Sequence, residues 1–188
     1  MEDVELHLPP EPIEIAAGWL QFRPWDRALA PRVLEGLTDP EVVRWAPQRG
    51  PADLAAAREW IDRQNAEWLA GKKYSLAVHE ASSGELLGDV TAMHIDRFTA
   101  SAWVGYWTAP WARKRGVAST ALAAITRWGF EAVGFHRLQL SHAIENTASC
   151  RVAENAGYVA EGIMRSALPT VSGSWWDMEL HATINTAH

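Results

Sequence analysis

An α/β sandwich is the fold that this 188-residue chain predicts, as one domain large enough for a substantial core. Three observations predict it. Short alternating apolar runs are interleaved with longer segments striped at helical spacing. A basic, glycine-containing turn, Arg113-Lys114-Arg115-Gly116-Val117-Ala118, joins a strand to a helix. A second strand–helix unit follows, with Asn146 as N-cap and Gly157 as the residue just past the helix end.

The elements follow in order. Residues 1–17 hold three prolines and little periodicity, so they read as a loose N-terminal arm, leaving residues 18–188 as a single domain. A strand is expected near Trp19–Phe22 and a helix from about Asp26. Pro51-Ala52-Asp53 opens another helix, with Leu54, Ala57, Ile61 and Trp68 on one face and Gly71 ending it. Tyr74–Glu80 and Leu86–Ile95 read as strands joined by the Ser82-Ser83-Gly84 turn. Ala102–Thr108 is the next strand. After Gly116, Ala118, Ala121, Leu122, Ile125 and Trp128 form the expected buried stripe of a helix. Strand 137–143, helix 147–156, strand 158–163 and strand 175–183 complete the chain.

Composition narrows the function. No apolar run reaches membrane-spanning length, and the acidic N-terminus does not read as a signal peptide. One cysteine allows no internal disulfide framework and suits a reducing cytoplasm. A net charge of −6 disfavours nucleic acid and steers a cationic amine favourably. No membrane partner is expected, and a homodimer is left open. Most of the 11 tryptophans read as core or helix anchors, Trp60 and Trp128 among them. Trp175 and Trp176 are adjacent, so a strand would point them to opposite faces, one to the core and the other to a cleft or solvent.

The basic turn is a candidate pyrophosphate cradle. Free N–H groups at a helix start, the helix dipole and nearby cations all favour an anion, and Gly116 permits close approach of the backbone. The chain has no G-x-x-x-x-G-K-[ST], and no G-x-G-x-x-G opens a helix after a strand. The pyrophosphate is therefore expected to be other than that of ATP or NAD.

The R-x-x-G-x-A turn and the segment Asn146-Thr147-Ala148-Ser149…Gly157-Tyr158 together resemble the GNAT N-acyltransferase superfamily, most closely its Rim-type branch of ribosomal-protein N-terminal acetyltransferases. Leu20–Asp26, Asp39-Pro40-Glu41-Val42, Gly84–Asp89, Gly105-Tyr106-Trp107, and Glu161-Gly162 with Arg165 are similar to further pieces of that branch, in its order. The resemblance implies a twisted, largely antiparallel sheet whose fourth and fifth strands are parallel and splay apart. Acetyl-CoA, or another acyl-CoA, would lie in the opening as co-substrate. Its pyrophosphate would rest on Arg113, Lys114, Arg115, Gly116, Val117, Ala118 and Ser119. Its pantetheine would meet backbone groups near Trp107 and Thr108, and Asn146 and Ser149 would flank the thioester.

Direct acyl transfer to an amine requires loss of an amine proton, stabilisation of an oxyanion and protonation of a thiolate. The superfamily's frequent tyrosine donor falls here on Ala153, so Ser149 is the replacement donor; the alternative is that it only satisfies nearby backbone. Asn146 caps the helix, worth ~1 kcal/mol over alanine, and the resemblance adds a substrate contact. The branch's frequent glutamate falls on Trp103. The base is left open between His94 and water. Cys150 reads as a packing residue. The seven histidines and one cysteine lack short metal-ligand spacings, so no metal is expected. Trp45, Trp103 and one of Trp175 or Trp176 are candidates for an aromatic wall against the acceptor. The acceptor is a protein N-terminus or a small-molecule amine such as an antibiotic or polyamine. A non-catalytic acyl-CoA sensor is the rival reading.

Overall fold

The computed structural model describes residues 5–46 and 50–186. Residues 1–4 of the expected arm, residues 47–49 and residues 187–188 lie outside the described residues. The strands are β1 (Ile15–Ala17), β2 (Leu20–Arg23), β3 (Lys73–Glu80), β4 (Leu86–Asp96), β5 (Ser101–Thr108), β6 (Arg137–Ala143), β7 (Val159–Pro169) and β8 (Trp175–Ile184). The helices are α1 (Ala30–Leu37), α2 (Pro40–Trp45), α3 (Leu54–Leu69), α4 (Val117–Trp128) and α5 (Thr147–Asn155). One mixed sheet runs in the order β1-β2-β3-β4-β5-β6-β8-β7, and every neighbouring pair is antiparallel except β5–β6. This is the predicted sandwich and the predicted parallel pair.

Local chemistry sets most boundaries. Asp53 caps α3 by accepting from the Ala56 N–H at 2.8 Å, and Gly71 follows its end with φ +65°. Asp26 caps a short 3₁₀ turn, Arg27–Leu29, which leads into α1. The Asp39-Pro40 segment begins a short helix. Pro40 suits the first helical position, and the Asp39 carboxylate accepts from the N–H groups of Glu41 and Val42. Within the segment expected to be a loose arm, residues 15–17 pair with β2 as β1, and Leu6 is buried. β7 continues beyond residue 163 to Pro169 because β8 pairs with it as far as Pro169↔Trp175.

The sheet is covered on both faces. β3 is buried at six consecutive positions, which requires packing on each side. Tyr74, Leu76 and Val78 join the core beneath α4, with Leu122 and Ile125. Ala77 faces the opposite core, built from Trp25, Val33, Leu37, Ala57, Trp60 and Ile61. There the Trp25 and Trp60 rings meet edge to face, with centroids 4.8 Å apart. The buried stripe of α4 is Val117, Ala121, Leu122, Ala124 and Ile125. It is rotated from the expected stripe: Trp128 is half-buried, and Ala118 lines a cleft rather than the core. Leu54, expected on the buried face of α3, stands exposed at its first turn.

One feature of this frame positions the site. β5 and β6 pair only at Ser101↔Arg137, Ala102↔Leu138 and Trp103↔Gln139. Beyond them the strands part, while β5 stays paired to β4 as far as Thr108↔Gly88 and β6 to β8 as far as Ala143↔Met178. At the open end of β5, Gly88 has φ +155°, and a Cβ there would lie 2.2 Å from the Trp107 carbonyl oxygen. Backbone cannot yield as a side chain can. Gly88→Ala should therefore destabilise the protein by roughly 3 kcal/mol through clash and strain together. Gly84→Ala, in a turn where a Cβ meets nothing within 4 Å, should cost only about 1–2 kcal/mol, that of a left-handed non-glycine residue. Urea unfolding of the two variants checks the difference; equal losses would contradict it.

Candidate active site

The parting strands enclose a cleft of about 800 Å³. Residues 103–108 of β5 form one wall and residues 140–143 of β6 the other. The starts of α4 and α5 also face it, through Gly116–Ser119 and through Asn146, Ala148 and Ser149. Beyond Trp103 the backbone groups on this edge of β5 face no strand, so they are free for a ligand or water. Trp107 and Thr108 lie on this stretch.

The anion turn has the geometry of a cradle. Lys114 and Gly116 both take positive φ, +59° and +78°, which turns successive N–H groups to one side. No side chain caps α4, and its first intrahelical bond runs from the Thr120 N–H to the Gly116 carbonyl. The N–H groups of Val117, Ala118 and Ser119 thus start a helix on the cleft without an intrahelical partner. A Cβ at Gly116 would meet nothing within 4 Å, so the space over the turn is open.

The three basic residues diverge. Arg113 lines the cleft, but its guanidinium is bonded to the Asp39 carboxylate at the start of α2. Lys114 lines the cleft and is exposed. Arg115 turns outward, where it pairs with Glu80 and lies 4.9 Å over the Trp19 ring. Only its backbone remains at the turn. The sequence expectation grouped all three side chains, and the reversal of chain direction at Lys114 separates them.

At the other end, Asn146 caps α5, its side-chain oxygen accepting from the Ser149 N–H at 3.1 Å. Ser149 Oγ lies 2.6 Å from the Tyr106 hydroxyl, which reaches it from β5. Burial pushes the Tyr106 phenol up to about 12, against the opposing effect of the Ser149 hydrogen bond. Tyr106 therefore keeps its proton and can donate to Ser149 Oγ. Tyr106 was not among the expected functional residues. It lies 43 residues from Ser149, and no local spacing rule joins them. Ala153, at the position of the superfamily's frequent tyrosine, is fully buried in the core.

His94 sits at the cleft rim, exposed, with φ +51° in the irregular end of β4 between Met93 and Asp96. Trp103 and Trp45 also line the cleft. Trp176 packs on Trp45 with centroids 5.4 Å apart, whereas Trp175 is 58% exposed. Cys150 is half-buried on α5, with Sγ 3.7 Å from Glu179 Oε2.

The Asp39–Arg113 pair has a pH signature. Burial pushes the Asp39 carboxyl up, but the Arg113 guanidinium and the Val42 and Glu41 N–H groups outweigh it and hold it below its ordinary value. Its contribution is full above the unfolded value of about 3.9 and disappears as pH falls through the depressed native value. Asp39→Asn keeps a capping oxygen and loses the charge. It should lower stability near pH 7 by up to about 1 kcal/mol, as for a half-exposed pair, and the gap should close in acid. Chemical denaturation across a pH series tests this; a gap constant with pH would remove the ion pair as its source.

Comparison with known proteins bears on this architecture. Residues 20–159 match the family described as Acetyltransferase (GNAT) domain. A curated relative from Bacillus subtilis (strain 168), named Probable N-acetyltransferase YjcK, is 28% identical over 115 residues, spanning 61% of this chain and 63% of that protein. Mycobacterium smegmatis RimJ, solved in complex with CoA-disulfide, is similar with TM-score 0.81 and 26% identity over 92% of this chain and 85% of that one. The ribosomal-protein-S5-alanine acetyltransferase from Vibrio fischeri has a like fold, with TM-score 0.82 and 20% identity over 93% of this chain and 98% of that one. The family match runs through both walls of the cleft and through the turn and helices that face it, and the chain belongs to the GNAT acetyltransferase family, with Rim-type proteins among its structural neighbours.

Proposed function

We propose that this chain transfers an acetyl group from acetyl-CoA to a primary amine, in the cytoplasm. The observation that carries the reading is the Ser149 hydroxyl, held by Tyr106 across the opening between β5 and β6. The uncapped start of α4 lies on the same cleft. The donor's pyrophosphate would rest on the N–H groups of Gly116–Ser119 beside Lys114, and its pantetheine on the free edge of β5 near Trp107 and Thr108. When bound, the donor supplies a thioester activated toward an amine.

The chain's own groups divide the remaining work. Tyr106 donates to Ser149 Oγ, which leaves the Ser149 hydrogen directed at the departing sulfur. Free N–H groups on the edge of β5 are the donors available to the oxyanion. The amine proton leaves through water or through His94 at the rim. The acceptor is a protein N-terminal amine or a small-molecule amine. The name of the Vibrio fischeri neighbour supports the first, and the net charge of −6 suits either. A thiol-release assay with acetyl-CoA, run against N-terminal peptides and against polyamines and aminoglycosides, tests the proposal. Turnover with one class is expected; donor binding without turnover on any amine would leave an acyl-CoA sensor.

The cradle should respond residue by residue. Gly116→Asp should weaken acetyl-CoA binding at least about tenfold, or 1.4 kcal/mol. Lys114→Ala should weaken it roughly threefold to fivefold, as for an exposed charge contact. Arg115→Ala should leave it nearly unchanged. Calorimetry that ranked Arg115 above Lys114 would overturn the assignment.

Transition-state groups should separate from binding groups. Ser149→Ala should lower kcat by ~10²–10⁴ with donor affinity retained. Tyr106→Phe removes only the hydrogen bond that orients Ser149, so kcat should fall by roughly fivefold, the worth of about 1 kcal/mol. Wild-type kcat in both variants would reduce the pair to packing.

A further inference from the structure

A second set of reactive side chains lies where β6, α5 and β8 meet. His142 on β6 stands opposite Glu179 on β8, and His181 is two residues further along β8, on the same face. Cys150 reaches the group from α5. His142 Nε2 and His181 Nε2 are 3.1 Å apart. Glu179 Oε2 lies 3.2 Å from His181 Nε2, 3.6 Å from His142 Nε2 and 3.7 Å from Cys150 Sγ. All four ligand atoms fall within 4.8 Å of one another.

We propose that His142, Cys150, Glu179 and His181 bind one zinc ion in a tetrahedral site that ties α5 to β6 and β8. Zinc bonds of about 2.0–2.1 Å to nitrogen and oxygen and about 2.3 Å to sulfur put tetrahedral neighbours roughly 3.3–3.6 Å apart. Four of the six separations bracket that range, and the other two, from Cys150 Sγ to the imidazole nitrogens, lie within 4.8 Å. The set of two imidazoles, a thiolate and a carboxylate suits a borderline-soft cation. Charge also closes, because a divalent ion with one thiolate and one carboxylate is neutral overall, which suits a site whose two imidazoles are buried.

The hydrogen bonding of His142 supports the same reading. Its Nδ1 lies 2.9 Å from the Ala143 carbonyl oxygen, which can only accept. Nδ1 therefore carries a hydrogen, which leaves Nε2 as the ring nitrogen able to ligate when the ring is neutral. This is the outer bond that fixes a metal-ligating imidazole. The two histidines are only 3% and 0% exposed, so their rings are held in place by packing. No short sequence motif marks the site. His142, Cys150, Glu179 and His181 converge through strand pairing and through the docking of α5.

The test uses tag-free full-length protein stripped of metal with a chelator. Cobalt(II) added to the wild type should saturate at one ion per chain. It should show the visible bands of a tetrahedral site and a near-ultraviolet thiolate-to-cobalt charge-transfer band. Cys150→Ser, a small change at a half-buried position, should lose the charge-transfer band and bind at least about tenfold more weakly. His181→Asn, checked for fold by circular dichroism, should lose stoichiometric binding. Zinc should displace cobalt and raise the wild-type Tm. Absence of saturable one-to-one binding in the wild type, or an unchanged cobalt spectrum in Cys150→Ser, would overturn the site.

Discussion

The parting of β5 from β6 after Trp103 and Gln139 is the constraint on which the rest of the site depends. A sheet interior normally pairs every backbone group. Here three residue pairs hold the strands together at one end, and their outer neighbours hold each strand straight. The gap that results is too wide for a ladder and is bounded by protein on both sides. The starts of α4 and α5 face into it, each bringing the positive end of a helix dipole. The Tyr106–Ser149 hydrogen bond ties β5 to the start of α5 at this opening.

What the sequence revealed was local in origin. The Asn146 cap, the Asp53 cap and the glycine-bearing turn each act within one helical turn, so their residues lie side by side in the chain. The α2 helix stayed hidden because six residues are too few to show a period, and Asp39-Pro40 suits a turn as well as a helix start. β1 was masked by the prolines before it. The divergence of Lys114 and Arg115 depends on a backbone reversal that residue type alone does not announce. Tyr106 and the His142–His181 group depend on long-range pairing. The histidines show no short metal-ligand spacing, which is why no metal was expected; convergence across strands needs no such spacing.

The tryptophans explain how the walls are held. Trp25 and Trp60 anchor α3 beneath the sheet, and Trp68 meets Tyr74 edge to face at 4.8 Å. Trp107 ties β5 to α1. A Cβ at Gly36 would lie 2.6 Å from the Trp107 ring, so glycine in α1 makes room for it. The strand that carries Tyr106 is therefore fixed by packing one residue beyond it. Aromatic mass that composition showed only as an excess thus works as a set of pins around one opening.

The anion cradle is a small positive feature on a chain of net charge −6. On the proposed reading, a polyanionic donor far from the surface would meet repulsion, and within a few ångströms of Gly116 it would meet oriented N–H groups and Lys114. An amine cation experiences the reverse order. The crossover lies near the screening distance, about 8 Å at physiological ionic strength. Added salt would then act on the two proposed substrates in opposite senses, easing the donor's approach while weakening the long-range pull on the acceptor.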